Sequence, residues 1–244
     1  MKRVMLLVLV LIFATETPSA QREEKGIEIV FKAQDKQINP YQEEYEKMLY
    51  STVRISSSSG VGSGVVISVE RRAISVEQIA ILTACHVVDD QSVVNVELYD
   101  STIITGTVVI TDTVKDLALL SIEYPASTGL NALRPTLYAA CLAPKDYTPY
   151  IFTPIYTVGC SLGLSPRPSN GIITVVDKDH WEVSSPVLPG NSGGPVYDKY
   201  TYQVIGIAVW VKVYDGQLIT TMAGIVPINE IYKFLEPLIN TNEH

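Results

Sequence analysis

Three side chains, far apart in the sequence, are of the types that nucleophilic catalysis needs. Ser192 lies in Gly190-Asn191-Ser192-Gly193-Gly194-Pro195, a segment without helical periodicity that leads into a short apolar run, Val196 and Tyr197. Glycines on either side let the backbone turn sharply and let another molecule approach closely. Such a turn exposes the Ser192 hydroxyl and aims the N–H groups of Gly190 and Ser192 at one point. An oxyanion held there gains about 3–4 kcal/mol per donor. Taken alone, the hexapeptide also reads as an ordinary Gly/Ser/Pro turn.

Serine is a weak nucleophile until a base takes its proton, and the base is best a histidine oriented by a carboxylate. The chain has three histidines. His244 is terminal, and His180 in Asp179-His180-Trp181 reads as a strand start. His86 follows an apolar strand in Leu82-Thr83-Ala84-Cys85-His86-Val87-Val88, where a strand end would hold it rigidly. Among the carboxylates, Asp89 and Asp90 follow His86 too closely to fold back onto it. Asp116 directly precedes the apolar run Leu117-Ala118-Leu119-Leu120, which favours a semi-buried acceptor; Asp112 is the second candidate. The order His86, Asp116, Ser192 excludes the nucleophile elbow of α/β hydrolases, despite the match of Gly190-x-Ser192-x-Gly194. That elbow needs a helix after the serine and the histidine last in the chain.

The elements that must position these groups are strands. From residue 52 onward, short runs rich in Val, Ile, Thr and Tyr alternate with Gly, Ser, Asp and Pro. They lie near 52–57, 62–69, 77–83, 93–99, 102–111 and 116–122, then near 136–142, 151–158, 170–177, 181–187, 202–211 and 218–226. Strands at this spacing without intervening helices predict an all-β sandwich or barrel fold, in two sets of six around a link at 124–135. Residues 41–50, after Pro40, predict a short helix, and the stripe Ile228, Ile231, Tyr232, Phe234, Leu235, Leu238 predicts an amphipathic C-terminal helix over about 227–240.

Composition narrows the setting. Of 244 residues, 47% are hydrophobic and 18% charged, which is globular. The net charge of −8 argues against nucleic acid as a partner. Residues 1–20 read as a secretory signal peptide: Lys2 and Arg3, an apolar run over 4–14, then small and polar residues. That run is too short for a membrane span, which needs about 20 residues, so no stable span is expected after signal removal. The mature protein is expected outside the cytoplasm, periplasmic or extracellular, with 21–47 as a peripheral arm. Cys85, Cys141 and Cys160 allow at most one internal disulfide, and the sequence leaves one bridge and three free thiols both open. Their spacing matches no zinc motif, and no metal or cofactor is expected.

With these residues in view, the chain resembles the trypsin/chymotrypsin-type serine proteases, and most the protease domain of the Do/HtrA branch. The matching pieces are Thr52-Val53-Arg54-Ile55, Gly62-Ser63-Gly64-Val65-Val66-Ile67, Thr83-Ala84-Cys85-His86-Val87-Val88, Asp116-Leu117-Ala118-Leu119-Leu120, Val158-Gly159-Cys160-Ser161-Leu162-Gly163, Gly190-Asn191-Ser192-Gly193-Gly194-Pro195 and Gly206-Ile207. The resemblance covers about 45–240. It implies two six-stranded antiparallel β-barrels, one about 50–125 and one about 135–226, within a protease domain over 48–244. The cleft between them would hold His86 and Asp116 from the first barrel and Ser192 from the second. The expected reaction is hydrolysis of a peptide or protein substrate through an acyl-enzyme, with Gly190 and Ser192 as the oxyanion hole. A binding or adhesion module that kept the fold without turnover is the alternative.

Departures from the family are as informative. Ser161 stands where the family's Gly-x-Pro-x-Gly loop has proline, no PDZ domain is expected, and no Ile-Val-Gly-Gly start follows a basic residue. Oligomeric state and natural substrate are left open. The pocket wall is expected from 185–189, 208–210 and 223–225, with Val187, Ala208 and Gly224 lining it. Those stretches contain no acid, and Ala208 replaces the histidine of glutamyl endopeptidases. Peptides with Val or Leu before the scissile bond should therefore be cleaved and the Arg counterpart spared in a paired fluorogenic assay; robust cleavage after Arg would contradict this.

Overall fold

The structure is a computed structural model that describes residues 10–11, 28–29, 41–58, 60–73, 76–125 and 137–239. The chain divides into two compact units, Met1–Pro40 and Tyr41–His244. In the first, the described residues form a two-residue antiparallel ladder of β1 (Val10–Leu11) with β2 (Glu28–Ile29). The signal segment, the arm up to residue 40 and most of the inter-barrel link otherwise lie outside the described residues.

The second unit opens with α1 (Gln42–Tyr50), which starts one residue after the Pro40-Tyr41 step and carries Glu43 and Glu44 in its first turn. Acids there complement the helix dipole. Two closed antiparallel barrels follow. The first contains β3 (Thr52–Ser57), β4 (Gly60–Ala73), β5 (Val76–Thr83), β6 (Val93–Glu97), β7 (Ile103–Asp112) and β8 (Leu117–Pro125), in the order β3-β4-β5-β8-β7-β6. The second contains β9 (Pro154–Gly159), β10 (Arg167–Val176), β11 (Trp181–Val183), β12 (Pro195–Asp198), β13 (Val204–Tyr214) and β14 (Gln217–Pro227), in the order β10-β11-β14-β13-β12-β9. Closure removes exposed strand edges. Alternate residues point inward, as Val94 and Val96 do on β6 on either side of the exposed Asn95. Val53, Ile55, Ile81, Leu120 and Ile122 fill the first barrel and Ile155, Ile173, Ile205, Ile207 and Ile225 the second, all essentially without solvent contact. The C-terminal helix α3 (Ile228–Ile239) buries Ile228, Ile231, Phe234 and Leu235, as its apolar stripe predicts.

One expected strand is not formed. The run over 136–142 makes only a single parallel bridge, Leu142 with Val204, among its described residues. The sixth strand of the second barrel is instead β12, the apolar run directly after the serine loop. β12 is held on both sides, Val196 opposite Gly206 and Thr157. Its Tyr197 is fully buried and shares a 2.9 Å hydrogen bond with the Ser51 hydroxyl at the end of α1. Four residues are too few for a periodic signal, but barrel closure requires them.

All three cysteines are free: Cys85 and Cys160 are buried and Cys141 is exposed. Burial pushes the Cys160 thiol up to about 11, and burial followed by nearby Asp116 raises that of Cys85. Since the thiolate is the reactive form, the native protein should take up one alkyl group from iodoacetamide at pH 8, on Cys141. Three should add after denaturation, and mass spectrometry reads both numbers. Two or more additions to the native protein would contradict the burial.

Candidate active site

Strand register brings the first two candidates together. β5 and β8 pair from Val76↔Pro125 to Thr83↔Ala118. The chain leaving β5 therefore sits beside the chain entering β8. Ala84, extended at ψ 145, leads into the one-turn helix α2 (Cys85–Val88). Burial of Cys85, Val87 and Val88 leaves His86 on the outer side, about half exposed. Asp116 is one residue before Leu117, with a left-handed backbone at φ 56 that aspartate tolerates better than most side chains. Its carboxylate meets the histidine twice. His86 Nδ1 lies 2.7 Å from Asp116 Oδ2, and the His86 backbone N–H donates to Asp116 Oδ1 at 2.9 Å. A carboxylate only accepts, so Nδ1 is the donor in this pair, and in the neutral imidazole that arrangement leaves the lone pair on Nε2.

Asp112 has different partners. Its Oδ1 accepts from the N–H groups of Val114 and Lys115, each at 2.9 Å, and its Oδ2 pairs with Lys115 Nζ at 3.2 Å. These bonds, led by the Lys115 N–H, hold its carboxyl below the usual range. It stabilises the turn that delivers Asp116. Asp89 and Asp90 are exposed in the turn after α2.

Ser192 comes from the loop between β11 and β12. Its carbonyl accepts from the N–H of Ser63 on β4 at 2.7 Å, which draws the loop onto the first barrel. Gly193, at φ +82, donates to Ala208 O at 2.7 Å, and the Ala208 N–H donates to Gly194 O at 2.9 Å. A Cβ on Gly193 would lie 2.2 Å from both Ser63 O and Thr83 Oγ1 and 2.9 Å from Ala84 N. The loop thus rests directly on the chain two residues before His86. Ser192 is half-buried. Its hydroxyl makes no hydrogen bond among the described residues, to His86 or to any other group.

Gly190 has φ +96, and its N–H and that of Ser192 donate to no group among the described residues. The carbonyl of Pro189 accepts from the Leu162 N–H at 2.7 Å. A trans peptide sets N–H opposite C=O, so the Gly190 N–H faces away from the Leu162 loop. Ser161, in place of the family's proline, donates to Asn191 Oδ1 at 2.7 Å.

The three expected pocket residues have the following surroundings. Val187 is buried and donates to Thr220 O at 2.8 Å, Ala208 is buried and pins the serine loop, and Gly224 lies under Trp210. A Cβ at Gly224 would come within 1.8 Å of Trp210 Cε2. A cavity of about 350 Å³ lies beside Asp116, lined by Lys115, His180, Val209, Trp210 and Glu230 among others. Among the described residues no group of three or more His, Cys, Asp and Glu side chains is placed to hold a metal ion.

Sequence reasoning missed Ser63, Arg54 and Leu162. Arg54 on β3 donates to Gly163 O at 2.6 Å and pairs with Glu97, tying the Gly159–Gly163 loop to the first barrel. The available signal was Ser63 itself, a polar residue between two glycines inside an apolar strand.

Gly193→Ala tests the close approach of loop and barrel. Overpacking against backbone at positive φ should cost about 1–3 kcal/mol, read as a lower urea midpoint. An unchanged midpoint would contradict the contact.

Comparison with known proteins bears on the fold and the family. A curated relative from Synechocystis sp. (strain ATCC 27184 / PCC 6803 / Kazusa), named "Putative serine protease HhoB", is 28% identical over 160 residues, 61% of this chain and 34% of that protein. The chain thus spans about a third of the length of that relative. The crystal structure of the serine endoprotease from Yersinia pestis superposes with a TM-score of 0.63 at 20% identity, covering 84% of this chain and 68% of that one, a likeness of fold. The family described as trypsin-like peptidase domain matches residues 62–207, well over half of the sequence, and the chain belongs to that family.

Proposed function

We propose that the protein is an exported serine endopeptidase that cuts peptide bonds through an acyl-enzyme. The observation that carries this reading is the 2.7 Å contact of His86 Nδ1 with Asp116 Oδ2. It leaves Nε2 as the basic nitrogen on a ring whose supporting chain abuts the Ser192 loop. Ser192 Oγ attacks the substrate carbonyl carbon while its proton passes to His86 Nε2. The carbonyl oxygen takes the negative charge and accepts from the Gly190 and Ser192 N–H groups. Collapse expels the amine, which receives the proton from His86. Water, deprotonated by His86, then repeats the attack on the acyl group and releases the acid. Asp116 holds the imidazole and stabilises the imidazolium throughout.

Export rests on the character of residues 1–20; among the described residues no helix is long and apolar enough to cross a membrane. A small or aliphatic side chain before the cleaved bond is supported by the lack of acid within the stretches 185–189, 208–210 and 223–225. One observation favours the non-catalytic alternative, the missing hydrogen bond between Ser192 Oγ and His86. Apo sites are often loose in this way and tighten with substrate.

A fluorophosphonate probe decides between them. Wild type should label and Ser192→Ala should not. Asp116→Asn, which offers the ring an amide, should slow labelling on the order of 10⁴-fold with an unchanged thermal midpoint. No labelling of folded wild type would leave the binding module.

A further inference from the structure

Two backbone donors form an oxyanion hole only while their peptide planes are held, and a glycine at φ +96 does not hold its own. Three consecutive planes are at issue. The Pro189–Gly190 plane carries the first donor and is anchored by Leu162 N–H on Pro189 O at 2.7 Å. The Asn191–Ser192 plane carries the second and is anchored by Gly194 N–H on Asn191 O at 2.9 Å. The Gly190–Asn191 plane between them is anchored by the Asn191 N–H on Leu188 O at 2.9 Å and, at its carbonyl, by a side chain: Ser63 Oγ donates to Gly190 O at 2.7 Å.

The same hydroxyl has a second partner. It accepts from the Cys160 N–H at 2.8 Å, within the loop that supplies the Leu162 clamp. Ser63 is fully buried, its N–H holds Ser192 O, and its carbonyl accepts from Thr83 Oγ1 at 2.6 Å, three residues before His86. Every bond made by this residue from the first barrel's β4 therefore ends on a segment that shapes the site. Deleting the hydroxyl leaves the buried Cys160 N–H and the half-buried Gly190 carbonyl without this partner, a cost that either group escapes by rotating its plane.

We infer that Ser63 is a positioning residue whose hydroxyl locks Gly190 and the Cys160 loop in the donor-aligned arrangement. The inference rests on the proposed peptidase reading. The first barrel then does more than supply the base; it sets the second barrel's donor pair.

The test is the kinetics of fluorophosphonate labelling, in which Ser192 Oγ bonds to phosphorus, fluoride leaves, and the phosphoryl oxygen occupies the oxyanion site. In Ser63→Ala the second-order rate should fall about 10- to 100-fold, the size of effect that small misalignment brings. The labelled fraction at saturation should stay complete, and the midpoint of the pH–rate profile should stay at its wild-type value because the His86–Asp116 pair is untouched. Ser63→Cys, with a weaker donor, should fall between the two and carries the test alone if Ser63→Ala does not fold. Either variant labelling within twofold of the wild-type rate overturns the inference. So does a loss seen only as a smaller labelled fraction at unchanged rate, which marks a merely structural role. Folded wild type that fails to label overturns the peptidase reading, and with it this role for Ser63.

Discussion

The structure depends on a seam. Two barrels, each closed on itself, satisfy most of their backbone groups internally and have little reason to adopt one mutual position. What joins them near the site is a handful of hydrogen bonds centred on Ser63, together with the contact of Gly193 with Thr83 and Ala84. Individually such bonds contribute about 1 kcal/mol. Their weight grows with burial, which is complete at Ser63 and Cys160, where water is slow to replace a partner that moves away. The seam is polar where the barrel cores are mostly aliphatic, and polar bonds supply direction as well as attraction. Apolar packing alone would tolerate a slide of the serine loop that these bonds do not.

The pairing of His86 with Asp116 follows from another constraint, the register between β5 and β8. Thr83 opposite Ala118 leaves the two strands ending at the same level. A slip of one residue would exchange the residues that β8 buries on its two faces, putting Leu120 in the space that fits Leu119, and would carry Asp116 off the imidazole at the same time. Core burial of Leu117, Leu120 and Ile122 thus enforces the geometry of a polar contact at the surface. The turn before β8, closed by Asp112 on Lys115, keeps the approach of Asp116 from fraying.

Legibility in the sequence followed the range of the physics involved. Ser192, His86 and Asp116 stood out because their types and neighbours carry chemical meaning locally: glycines beside a hydroxyl, a strand before an imidazole, an apolar run after a carboxylate. The preference for Asp116 over Asp112 agrees with where the two carboxylates lie, since an acid directly before a core strand is held by that strand. Twelve barrel strands were legible as a count, but β12 was not among them, because Pro195-Val196-Tyr197-Asp198 is too short for a period even though Val196 and Tyr197 read as a short apolar run. The run over 136–142 misled for the opposite reason, being apolar enough for a strand yet used as a crossing segment beside Val204. Ser63 stood out in the sequence only as a polar residue between two glycines, with nothing to show what it would hold. Its importance lies in partners at 160, 190 and 192, and no local pattern announces contacts across about a hundred residues or more. The pocket residues were read from a family pattern, and the Trp210 indole over Gly224 is a tertiary contact that no pattern of small residues encodes.

A crystal structure of the phosphonylated protein tests the central claim most directly. The account predicts a phosphoryl oxygen about 2.7–3.1 Å from both the Gly190 and Ser192 nitrogens, with His86 Nε2 within hydrogen-bonding reach of the Ser192 oxygen. An adduct on another residue, or an imidazole held beyond contact range of Ser192 with the two amides turned away, would contradict it.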